Sequence, residues 1–135
     1  GSKSKSLLQF KEADVRDWTG FMGVLKEQSA GEANAPGKQL LSLLDPNMQK
    51  TFAAAPAAAL AENRADILKL LNKILKSPAL YDKAAWDGVA LGDDAEALLA
   101  KGMKALSADE ILLLNRLLLA KAFPTFVAPP PAPAE

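Results

Sequence analysis

The chain has 135 residues, 50% of them hydrophobic and 24% charged, a balance that suits one globular domain. It contains 0 histidines and 0 cysteines, which excludes disulfides, thiolate metal sites, cysteine nucleophiles and the commonest general base. Lys plus Arg and Asp plus Glu both number 16, so the overall cationic surplus behind non-specific nucleic-acid binding is missing.

Gly1-Ser2 resembles the scar left by tag removal, and residues 1–10 are expected to be flexible or partly helical. The apolar pair Leu7-Leu8 runs into Lys11-Glu12, so no secretory signal is visible. The greasiest stretch, Ile111 to Leu119, is interrupted by Asn115-Arg116 and falls short of the ~20 apolar residues a bilayer span needs. With no cysteine, these features suit a soluble protein in a reducing compartment, and a cytoplasmic location is the expectation. Residues 11–127 are read as a single helical domain. Residues 128–135, Pro and Ala up to Glu135, are read as an extended, disordered tail.

β-Branched residues and aromatics are sparse and no run alternates apolar with polar, so the expected class is all-α. The architecture expected is a compact irregular bundle of about five main helices. The first covers roughly Lys11 to Gln28, with Val15, Trp18, Phe21, Met22 and Leu25 on one face and Gly20 and Gly23 opposite. Gly31, Asn34 and Pro36 mark a loop, and Lys38 to Leu44 a short helical segment. Asp45-Pro46 restarts a helix, as Asp can cap it and Pro fits its first position; Met48 and Phe52 anchor it. Pro56 predicts a break.

The next helix is expected from Ala57 to Lys76, with Leu60, Ile67, Leu68, Leu71, Ile74 and Leu75 on its inner face. A short helix after Ser77-Pro78 carries Leu80, Tyr81 and Trp86. Tyr81, Trp18 and Trp86 are read as core residues rather than a binding platform. Asp93 is expected to cap the following helix, with Glu96 as its reciprocal partner. Ser107-Ala108-Asp109-Glu110 is a full capping box, with Leu106 and Ile111 placed for a hydrophobic staple. The helix beyond it is apolar nearly all round, which makes it either the centre of the bundle or buried on a second side by a partner. Acids cluster at predicted helix starts and bases at their ends, as the helix dipole favours, so this charge pattern needs no ligand.

No catalytic residues, metal ligands or cofactor motifs emerge. The carboxylates Asp87, Asp93, Asp94 and Glu96 lack the spacing of a calcium loop, and no glycine-rich phosphate loop or G-x-S-x-G is present. The functional expectation is a non-catalytic helical protein–protein interaction or assembly module. Its contact residues would be Leu113, Leu117, Phe123 and Phe126, meeting a protein partner or a second copy. The first alternative is a nucleic-acid-associated helical protein using Lys69, Lys73, Lys76, Lys101 and Lys104, although nucleic acid is the less favoured partner because these lysines lack interleaved aromatics. The second is a small enzyme working without His or Cys chemistry.

Overall fold

The computed structural model describes residues 8–32, 35–80, 86 and 88–130. Among them the fold is all-α, with seven α-helices: α1 (Trp18–Ser29), α2 (Pro36–Ser42), α3 (Pro46–Ala54), α4 (Ala57–Glu62), α5 (Arg64–Leu75), α6 (Asp93–Lys101) and α7 (Ala108–Ala122). No helix of the described residues is long and apolar enough to cross a membrane. Asn34, Tyr81, Asp87 and the end of the tail, residues 131–135, lie outside the described residues.

Local chemistry sets most boundaries. The Asp45 carboxylate accepts from Met48 N at 2.9 Å and Pro46 opens α3. Pro56 separates α3 from α4. The Ser107–Glu110 capping box is fully formed, at 2.9 and 3.1 Å, with Leu106 and Ile111 packed in one cluster beside it.

Boundaries also differ from the sequence-based expectation: α2 runs from Pro36 to Ser42 rather than from Lys38 to Leu44, and three larger differences have local causes. The first helix starts at Trp18, because Asp17 caps it from a left-handed conformation (φ 49°) and accepts from Gly20 N at 3.1 Å. Before it, Glu12–Asp14 forms a 3-10 turn and Val15 is extended, in an isolated antiparallel bridge with Val127. The helix expected over 57–76 breaks at Asn63, whose side-chain amide donates to the Ala59 carbonyl and competes for the helical backbone. Finally, Gly92 (φ 88°) occupies the cap of α6, which leaves Asp93 and Glu96 as first-turn acids rather than a capping pair.

Among the described residues the helices enclose two cores. In the larger, α1 packs on α2 and α4, and the inner face of α5 (Ile67, Leu71, Ile74, Leu75) completes it. Phe10 belongs to this core at 3% exposure, so the packed domain reaches back into residues 1–10. The smaller gathers Trp86, Leu91, Ala95, Leu106, Leu114 and Leu118 where α6 packs on α7. Trp18 is in the first core and Trp86 in the second, both buried.

Candidate recognition surfaces

Helix α7 is apolar nearly all round because it borders both cores. Leu112, Leu119 and Phe123 belong to the larger one, Leu114 and Leu118 to the smaller. With about 3.6 residues per turn, these two sets diverge around the helix axis, and only a third side is left over. Leu113 and Leu117, one turn apart, are half-buried there. The four residues singled out from the sequence as partner contacts are therefore not brought together. Phe123 is interior, with its ring edge-on to Phe21 at 5.4 Å, and Phe126 is half-buried with its ring 6.0 Å from Phe21.

The polar interruption in that run has a structural role that sequence reading missed. Asn115 is 0% exposed and donates to the carbonyls of Leu75 and Ser77. Arg116 is 1% exposed; its Nη1 donates to the Leu8 carbonyl at 2.8 Å and its Nη2 lies 3.4 Å from Asp14 Oδ2. The guanidinium also sits over the Phe10 ring, 5.4 Å from its centroid. Burial pushes the Arg116 pKa below its ordinary value, and the Asp14 carboxylate acts the other way. On α5, the Asn72 amide accepts from Phe10 N at 2.7 Å and donates to Phe10 O at 2.9 Å. A third bond, from Asn72 to the Leu68 carbonyl at 3.0 Å, holds that amide in place.

Lys69, Lys73 and Lys76 are exposed along the outer side of α5 and its end. Lys101 is paired with Glu110, whose carboxyl it holds below its ordinary value, with help from the Ser107 N–H. Lys104 is exposed in the 3-10 turn Met103–Ala105 that follows α6.

The concavities among the described residues include one of about 200 Å³ bordered by Ser29, Leu41 and Phe52, and two larger ones. The wider, about 720 Å³, is an open cleft between the 12–19 segment and α4, bordered by Glu12, Asp17, Trp18, Ala61, Glu62 and Arg64. Its charges are already engaged in part: Arg64 pairs with Glu12 at 3.1 Å, and Asp17 caps α1. The narrower, about 410 Å³, is a groove between α2–α3 and the end of α5. Leu44 and Ile74 are its buried members, while Leu43, Met48 and Leu70 are half-exposed around them. Asp45 and Lys73 supply the charges of its rim. Leu70 and Ile74 face one way because they are four residues apart on α5, and Met48 joins them because the Asp45-Pro46 cap fixes where α3 begins. Sequence reading identified Met48 and Ile74 as core anchors but had no means of seeing that α3 and α5 leave a gap between them.

Compared with known proteins, the chain matches no family model, and neither a curated protein nor a solved structure shows significant similarity to it.

Proposed function

We propose that the chain works by recognition, holding an apolar helical segment of a partner protein in the groove between α2–α3 and α5. One observation carries this reading: Leu43, Met48 and Leu70 stay half-exposed around a concavity of about 410 Å³ whose buried members are Leu44 and Ile74. Grooves of this kind take the apolar face of an amphipathic helix through anchors about one turn apart. Met48 suits the task, since an unbranched thioether adapts to differently shaped anchors. The rim selects a polarity, because Lys73 favours an acid beside the docked stripe and Asp45 favours a base. Those two are the groove's ionisable groups, and the Asp45 carboxylate is already committed to the Met48 N–H. The groove therefore offers shape and apolar contact rather than a set of reacting side chains.

A photo-crosslinking residue placed at Leu70 or Met48, in the cell type of origin, is expected to capture one discrete partner. The same residue at exposed Thr51 on α3 should not. Leu70→Glu should abolish capture while leaving the helical circular dichroism spectrum intact. The reading fails if positions 70 and 51 give the same products.

A further inference from the structure

The segment 8–14 is held as a ligand is held. Asn72 pairs with both backbone groups of Phe10, and Arg116 reaches the Leu8 carbonyl, the Phe10 ring and the Asp14 carboxylate. Further along, Arg16 N donates to Phe126 O at 2.7 Å and Ala128 N to Asp14 O at 3.0 Å, on either side of the Val15–Val127 bridge. None of these contacts depends on the segment and the side chains that hold it belonging to the same molecule. The short connection that folds the segment back, Arg16-Asp17, includes the one non-glycine residue with positive φ among the described residues, Asp17 at 49°. A left-handed conformation at a residue with a Cβ is strained, and short strained hinges favour exchange of a terminal element between copies.

We propose that residues 8–15 exchange between two copies of this chain, each segment filling the α5–α7 site of the other. Exchange re-forms every contact named above in the partner and changes the backbone only at Arg16-Asp17, where it releases the left-handed turn. The occupant is a second copy because its segment already has the required order: a backbone carbonyl at Leu8 for Arg116, an aromatic at Phe10 for the guanidinium, and an acid at Asp14. This proposal is independent of the α2–α3/α5 groove, and its failure leaves that reading in place.

The test uses the full chain across a concentration series, with light scattering for mass. In an Arg64→Lys variant, carbodiimide can join position 64 to Glu12, since the Arg64–Glu12 ion pair puts those side chains in contact. In an exchanged dimer that bond links two chains, and denaturing gels show a dimer band that Glu12→Gln removes. In a monomer, or a dimer formed in another way, it stays within one chain. Asp17→Pro, which cannot adopt positive φ, should make the dimer the main species where the unaltered chain is monomeric. Asp17→Gly, which relieves the strain of the closed form, should weaken dimerisation by about five- to tenfold. A chain that remains monomeric at high concentration both unaltered and as Asp17→Pro overturns the proposal. So does a dimer whose coupling is entirely intramolecular. If Asp17→Pro does not fold, the Arg64→Lys series decides alone.

Discussion

The side-chain amide of Asn115 donates to the carbonyl oxygens of Leu75 and Ser77, at 2.6 and 2.9 Å, and so ties the middle of α7 to the carbonyl end of α5. The last carbonyls of a helix have no partner within it, and here that end is met by a side chain of a neighbouring helix. Asn115→Ala removes the donor and leaves buried acceptors behind. Unfolding in urea should show a loss of about 2–4 kcal/mol. A loss below about 1 kcal/mol would mean that solvent reaches those carbonyls and that the amide is dispensable.

How far the sequence was readable depends on whether a signal is local. Asp45-Pro46, Pro56 and Ser107–Glu110 act within one turn, and each does in the structure what its pattern predicts. The apolar circumference of α7 announced a helix with more than one buried side, but not what buries it. The chain itself supplies both cores, so Phe123 is spent internally. Asn115, Arg116 and Asn72 carry no local signature of their tertiary role, because the groups they tie down on other segments are 38 to 108 residues away in the chain. The groove of Leu43, Met48 and Leu70 was hidden for a similar reason: Met48 reads as a core anchor, Leu43 and Leu70 carry no signal of their own, and the three meet only when α3 packs beside α5.

Gly20 and Gly23 look alike in the sequence, and the structure separates them. A methyl group at position 20 would lie 2.4 Å from Asp17 Oδ2 and 2.9 Å from Phe126 Cε1, whereas position 23 has nothing within 4 Å. Gly23→Ala should stabilise the protein by about 0.5–1 kcal/mol through helix propensity alone. Gly20→Ala should destabilise it despite the same propensity gain, as the Asp17 cap and the Phe126 ring must move. Thermal unfolding of the two variants should shift in opposite directions; equal shifts would mean that the cap and ring yield freely.

The Glu110 carboxyl has its pKa lowered from 4.5, first by the hydrogen bond from Lys101 and then by the Ser107 N–H. A carboxylate with a depressed pKa in the folded state stabilises the fold above its unfolded pKa and loses that contribution as pH falls through its folded pKa. Glu110→Gln should therefore be less stable than the unaltered chain at pH 7, and the gap should narrow once pH drops below 4.5. Because the pair is exposed, 0.5 M salt should also narrow the gap at pH 7. A gap that widens towards low pH would assign the effect to something other than the ionised capping box.

The chain carries one tryptophan in each core, Trp18 in the larger and Trp86 in the smaller, so each core can be followed separately. Both cores share α7, which gives Leu112 and Leu119 to one and Leu114 and Leu118 to the other. A helix buried on two sides cannot leave one core without stripping the other. Trp18→Phe and Trp86→Phe variants should accordingly show coincident urea midpoints by fluorescence and by circular dichroism, once each is corrected for its own stability. Leu114→Ala, at 0% exposure in the smaller core, should cost about 2–5 kcal/mol and lower the Trp18 midpoint as much as the Trp86 midpoint. Leu113→Ala, on the half-exposed third side of the same helix, should cost about 1 kcal/mol or less, since little packing is lost there. If Leu114→Ala lowers only the Trp86 transition, α7 does not couple the two cores, and the smaller one unfolds by itself.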